Sequence, residues 1–406
     1  MIRQLQILSS VALLLLFPLT AAAQTANGEP PPNVRMRIGP LFVNPTLALT
    51  NAGRDTNVFN DATNPKDDFT VTITPATDLW MRVGPSWLQS NIKEDLIWYQ
   101  HYASERSANN SYAVRWVVPL NRLTLTPTFT YTNTRDRPSY EIDTRAERLD
   151  MEYGGMAEYR LFTKTFVALE ARRQTTDFAQ GSLYNGTDLH DELNRTGDAA
   201  IIDIRHQLTP LTAIVLSGAL SDDRFPNDPL RNSDSRSVAA VIRFDPAALI
   251  KGSASFGYRD FKPRSPSLPA FSGATLNVNL NYVLLGITKF TITAVRDVQY
   301  SYDITQPYYL QTGAAASITQ QVFGPVDVAV RGGQRQLQYR DRAGAVVAFA
   351  NRVDTSLTYG GGIGYHLGRD MRIGVNADHT QRDSPELDHQ FRGWTYGVSV
   401  TYGSGS

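Results

Sequence analysis

The sequence predicts an all-β fold: a transmembrane, antiparallel, up-and-down β-barrel of about 18 strands with both termini periplasmic. Three observations predict it. Apolar and polar side chains alternate with a period of two from about residue 38 onward, and no segment carries a 3.6-residue apolar stripe. Short and long connections take turns between the alternating runs. The 19 Tyr and 5 Trp recur near the ends of runs, where membrane barrels carry their aromatic girdles.

The alternation is plainest in "TLNVNLNYVLLGITKFTITAV" (275–295). Leu276, Val278, Leu280, Tyr282 and Leu284 share one face, and Asn277, Asn279 and Asn281 share the other. In "RLDMEYGGMAEYRL", Leu149, Met151, Tyr153, Ala157, Tyr159 and Leu161 oppose Arg148, Asp150, Glu152, Glu158 and Arg160. Lipid offers no hydrogen-bond partner, so a sheet that crosses it must close on itself. Its outer side chains must then be apolar, while its inner ones can be polar if the lumen holds water. Trp80, Trp98, Tyr131, Tyr153, Tyr159, Tyr300, Tyr302, Tyr365, Trp394 and Tyr402 are the expected girdle residues.

Short connections fall near 83–86, 119–122, 161–164, 208–211, 245–250, 285–288, 322–326 and 367–370. Longer, more polar ones fall near 52–67, 103–106, 136–145, 179–192, 224–234, 261–272, 303–307, 341–350 and 383–390. Eight turns and nine loops join 18 strands, and an even number leaves both termini on the short-turn side. In outer-membrane barrels that side is periplasmic. Pro45 and Pro75 interrupt the first two strands. Folding that hairpin about the middle of 52–67 sets them roughly opposite each other, where they share one weak spot in the ladder.

The ends complete the domain organisation. Arg3, the apolar "VALLLLFPLT" and the small residues before Gln24 read as a signal peptide over 1–23. Residues 24–37 read as an exposed, extended periplasmic lead-in stiffened by "PPP". The barrel is expected over 38–402, with a short flexible tail over 403–406. With no cysteine in the chain, there is neither a disulfide nor a lipidation site of that kind.

Composition narrows the function. The 39 basic and 39 acidic side chains balance, which argues against nucleic acid as a partner. No nucleophile elbow, P-loop, dinucleotide fingerprint or zinc motif is present, so no catalytic residue, cofactor or metal is expected and the chain does not read as an enzyme. "GGGIG" (360–364) lies inside a strand, where glycine relieves crowding or admits a close neighbour. His366 and His379 could pair across a hairpin, although ordinary wall positions are the commoner case.

A barrel of this size is wide enough for an aqueous channel. The expected lumen wall carries Asp150, Glu152, Glu158, Arg160, Glu170, Arg172, Asp203, Arg205, Arg243 and Arg259. It continues through Asn277, Asn279, Asn281, Arg331, Arg372, Asp378 and Arg382. Neither sign dominates this set, so marked ion selectivity is not expected. With the asparagines it suits neutral or weakly charged hydroxylated solutes. A lumen-closed structural or adhesive barrel is the alternative. The loops 52–67 and 179–192 are polar with few apolar anchors, which suits solvated rims.

"LFVNPTLALTNAGRDTNVFN" (41–60) and the stretch 67–103 resemble the putative β-barrel porin 2 family. Asp55, Asn57, Val58 and Phe59 match an Asp-x-Asn-Val-type segment that follows a proline-bearing first strand, and Pro75 lies in the second strand. The resemblance covers the first quarter well and the rest in strand rhythm. It implies an outer-membrane barrel in a Gram-negative bacterium, with an exopolysaccharide-export role in some members, and it carries over no site residue. The tail "GSGS" beyond Tyr402 departs from the usual aromatic ending. The expected partners are outer-membrane lipid and lipopolysaccharide, the barrel-insertion machinery and a periplasmic polysaccharide-export protein.

Overall fold

The computed structural model describes residues 28–31 and 34–403. The expected signal peptide, part of the lead-in and the last three residues lie outside these. Eighteen strands form the barrel. The first nine are β1 (Leu41–Asp55), β2 (Asp68–Val83), β3 (Ser86–Tyr99), β4 (Ser107–Leu120), β5 (Leu123–Asp136), β6 (Ala146–Phe162), β7 (Thr165–Phe178), β8 (Arg195–Thr209) and β9 (Thr212–Arg224). They continue as β10 (Ser233–Phe244), β11 (Ile250–Pro263), β12 (Phe271–Leu284), β13 (Thr288–Tyr300), β14 (Tyr308–Phe323), β15 (Val326–Arg340), β16 (Val353–Leu367), β17 (Met371–Asp383) and β18 (Phe391–Tyr402). Each pairs antiparallel with its sequence neighbours, and β1 pairs with β18 from Leu47↔Tyr402 to Asp55↔Thr395, so the sheet closes. Closure removes every free edge, which a bilayer demands.

Every predicted turn and loop recurs. Gly-containing turns such as 84–85 and 324–325 join strands at one end, while loops such as 137–145, 179–194 and 341–352 join them at the other. Both termini of the barrel lie at the short-turn end. Pro45 pairs with Thr77, and Leu47 pairs with Pro75. The prolines are therefore diagonal neighbours, Pro45 toward the short-turn end and Pro75 in mid-strand, but they share no gap. The β1–β2 register runs unbroken past both, and the one break beside Pro75 lies in its pairing with β3, between Ile73↔Leu96 and Ala76↔Lys93. The seam needs one more adjustment. Asn51 adopts a φ of 52° inside a bulge where the register with both β2 and β18 shifts. The bulge returns Asp55 to the same face as Asp68 after an extra residue in β1.

One face of the sheet carries large apolar side chains left exposed, among them Phe69, Leu169, Ile202, Leu220, Phe256, Ile292, Val330 and Ile363. This is the outer face. Most girdle aromatics lie on it: Trp98, Tyr153, Tyr159, Tyr365, Trp394 and Tyr402 are all exposed. Three do not. Trp80 is buried on the inner face of β2, while Tyr300 and Tyr302 pack among loop residues. Alternation fixes the parity of a strand, but it cannot tell a girdle ring from a ring that fills the lumen.

The lead-in also differs from the expected exposed linker. Gly28 is buried, and its carbonyl accepts from Gln89 Nε2 at 2.8 Å beside Trp87 and Val117. Met36–Ile38 pairs with Leu41–Val43 as an extra half-hairpin. An apolar inner wall at this end gives the chain something to pack on, so it does not stay in solvent.

Candidate functional site: the loop-filled lumen

The long loops were expected to be solvated rims, and the structure corrects this. Tyr184, Leu189 and Leu193 of loop 179–194 are buried with Ile142 of loop 137–145, Tyr302 of loop 301–307, and the strand residues Ala146 and Phe178. Val58 of loop 56–67 is fully buried as well, its carbonyl taken by Arg137 (2.8 Å) and Arg145 (3.3 Å). A few apolar anchors per loop are enough to draw it inward once several loops meet in one space.

Loop 137–145 is the hub. It leaves between β5 and β6, yet Arg335 on β15 lies 3.4 Å over the Tyr140 ring. Arg382 on β17 donates to the carbonyls of Tyr140 (2.7 Å) and His389 (2.5 Å) and pairs with Asp143. Strands β6 and β15 stand nine apart in a ring of 18, so this loop crosses the lumen to the opposite wall. Glu141 is wholly buried there. It accepts from Ser301 Oγ at 2.5 Å, with Arg352 Nη2 at 3.9 Å. Burial outweighs these partners and pushes its carboxyl up to about 7.

Further charged groups tie the remaining loops together. Arg231 donates to the carbonyls of Ser301 (2.8 Å) and Pro307 (3.2 Å) and pairs with Glu192 and with Asp228 (2.7 Å). Arg352 lies 3.8 Å over the Tyr339 ring and pairs with Glu386 and with Asp354 (3.4 Å). His389 Nε2 lies 3.2 Å from the Tyr302 hydroxyl. Burial, and then Arg352 and Arg382, hold its imidazole down to about 3. Glu105 pairs with Arg145 at 2.6 Å, and Ala343 N donates to Ser267 O at 2.8 Å, so all nine loops are joined. Buried charges so fully paired specify one packing, because removing any partner leaves another charge stranded.

The wall beneath the loops carries the residues expected from the sequence. Pairing register and burial put all of them on the inner parity. Several are joined across an intervening strand. Glu158 on β6 meets Arg205 on β8 at 2.7 Å, and Arg259 on β11 meets Asp297 on β13 at 3.0 Å. Arg331 on β15 meets Asp378 on β17 at 2.5 Å, and Asp327 on β15 meets Arg372 on β17 at 2.6 Å. The strand stepped over offers Ala168, Gly273, Gly360 and Gly364 at these points.

Here the glycines of "GGGIG" find their reason. A Cβ on Gly364 would sit 2.2 Å from Arg372 Nη2, and one on Gly360 would sit 2.1 Å from Asp378 Oδ1. The close neighbour is an ion pair lying across the backbone.

Asp150 accepts from Arg148 (2.6 Å) and Thr176 (2.8 Å), and Asn281 accepts from Thr291 (2.8 Å). Asn277 and Asn279 line the same wall. Glu152, Arg160, Glu170, Arg172, Asp203 and Arg243 face the lumen with no ion pair among the described residues. Arg382 belongs to the loop hub, not to the open wall. His366 and His379 lie on opposite faces. His366 turns inward, 2.7 Å from Asp327, while His379 stacks between Tyr359 and Trp394 on the outer face. They cannot pair, because odd and even positions of one sheet point apart. Among the described residues no group of three or more His, Asp or Glu could hold a metal.

Glu141, Arg231, Arg352 and His389 were not singled out from the sequence, and Tyr302 was expected only as a girdle ring. The available signal was local: "RPSYEID" sets acids between apolar residues inside a loop.

A closed antiparallel barrel, greasy outside and polar within, with its loops turned inward, is a porin-type outer-membrane β-barrel. The chain belongs to the family described as Putative beta-barrel porin 2, which matches it over residues 30–403. No curated protein matches it. Among solved structures it is similar to a BenF-like porin from Pseudomonas fluorescens Pf-5, at 9% identity and a TM-score of 0.50, over 90% of this chain and 98% of that one. It is also similar to the outer membrane protein opdK from Pseudomonas aeruginosa, at 10% identity and a TM-score of 0.47, over 89% and 98%. These likenesses concern the fold.

Proposed function

We propose that the barrel is a channel for small hydrophilic solutes, saccharides among them, across the outer membrane, with its loop end facing out and its short turns in the periplasm. The observation that carries this reading is the water-suited inner wall of asparagines and mixed charges beneath the crossing loop 137–145. A wide tube would not discriminate; loops held across it narrow the path and offer polar groups to a passing solute. The same packing favours small solutes over a polysaccharide conduit, since a thick polymer would have to part Arg352 from Glu386 and Arg382 from Asp143. The test is conductance of the purified protein in planar bilayers, with swelling of liposomes in mono- and oligosaccharides. Discrete steps and uptake that falls with solute size support the channel.

The alternative, a barrel whose lumen is shut and whose role is structural, is favoured by one observation: the nine loops interlock, most of them through buried charges and loop 264–270 through a backbone hydrogen bond. A membrane that stays silent at every voltage would select it.

A further inference from the structure

The lumen wall balances its charges overall but not along its length. Inward positions within five residues of the short turns hold Arg82, Arg160, Arg205, Arg243, Lys251, Lys289 and Arg372. Their carboxylate counterparts on the strands are Glu158 and Asp327, each engaged, by Arg205 at 2.7 Å and by Arg372 at 2.6 Å. Arg243, Lys251 and Lys289 make no ion pair among the described residues. Lys289 lies within electrostatic reach of Arg372, Asp327 and Lys251, and Arg115 within reach of Arg243 and Glu158, so the basic groups outnumber the two carboxylates that reach them. The turns add Arg122, Lys164 and Arg369 against Asp245 and Asp370, and the lead-in adds Arg35, paired with Asp370 at 2.7 Å, and Arg37 against Glu29. At the far end the nine loops carry thirteen Asp and Glu to eight Lys and Arg. The acidic wall residues Glu152 and Glu170 lie deeper in the lumen, while Asp203 shares the row of Glu158 through Ala168.

We infer that the short-turn mouth is an anion-collecting vestibule that makes the pore prefer small anionic solutes, carboxylated saccharides in particular. The inference rests on the channel reading above. A ring of one sign between low-dielectric walls focuses the field and raises the local concentration of counter-charged solute by about tenfold or more. Because the ring occupies one mouth only, the pore is electrically asymmetric. Anions pass more readily in one direction of applied voltage, and the effect weakens as salt shortens the screening length.

The full chain reconstituted in planar bilayers under a tenfold KCl gradient tests this. The reversal potential is expected to give a chloride-to-potassium permeability ratio of about 3 or more at low salt, with a rectifying current. The triple variant R243Q/K251Q/K289Q should bring the ratio down at least twofold, and K251E/K289E should take it toward cation preference. Gluconate should enter liposomes faster than glucose through the wild type and lose that advantage in the triple variant. A wild-type ratio at or below one, or a ratio the variants leave unmoved while conductance and heat-modifiable gel migration show folded barrels, overturns the vestibule and leaves the channel standing. Absence of conductance in folded wild-type protein overturns the channel reading and the vestibule with it.

Discussion

A side chain that is absent can be as informative as one that is present. Gly360 and Gly364 leave room on the wall for Arg331–Asp378 and Arg372–Asp327 to lie across β16. Gly364→Ala should therefore push Arg372 off Asp327, whose side chain is 2% exposed, and cost about 1–3 kcal/mol. Urea unfolding in detergent measures it, compared with Gly332→Ala on the opposite face, where a Cβ would meet nothing nearer than 3.7 Å. Glu141 offers a second residue-level test. A carboxyl raised from its ordinary 4.5 to about 7 binds its proton more tightly in the folded state. Its stabilising contribution is complete below 4.5 and is lost as pH rises through about 7. His389, held from 6.5 down to about 3, contributes above 6.5 and loses that as pH falls. Loop fluctuations in single-channel recordings should thus increase in the wild type between pH 6.5 and 8. Glu141→Gln should flatten that rise and leave the acid-side change due to His389. Unaltered pH dependence in the variant would remove Glu141 from this role.

Loop 137–145 is the element on which the lumen's shape depends, since it alone reaches from β5 and β6 to Arg335 and Arg382. Deleting residues 138–144 should raise single-channel conductance several-fold and abolish size discrimination among saccharides. It should also destabilise the other loops, because it leaves Arg382 and Arg352 short of partners in a buried site. Arg352→Met probes the same packing from the far wall. It strands Glu386 and Asp354 and should cost about 3–5 kcal/mol of loop stability, read as faster hydrogen exchange over 301–307 and 384–390 with the strands unchanged. These loops were legible as loops, with bounds within a few residues, because turn residues interrupt alternation wherever they occur. Their inward path was not legible. Tyr184, Leu189 and Leu193 are too sparse to mark a buried loop until Ile142 and Tyr302 arrive from distant segments to pack against them.

At the scale of the whole molecule, apolar and polar faces meeting two solvents account for the architecture. Heating a folded sample in SDS should slow its gel migration as the closed sheet opens; identical migration before and after heating would count against a closed barrel. The strand count, closure and inner parity of residues such as Glu158, Arg205, Arg331 and Asp378 follow from the sequence alone. A period of two is a property of every extended chain, and lipid allows only one way to satisfy its backbone. What the tertiary structure decided is which inner residues meet. Arg205 finds Glu158 two strands away, Trp80 turns into the lumen and not onto the girdle, and His366 parts from His379. It also sorted a chain with 39 charges of each sign into a basic mouth and an acidic loop end. Sequence records the order of charges along the chain. Up-and-down winding folds that order back on itself seventeen times, so only the closed sheet sets which charges share a level of the pore.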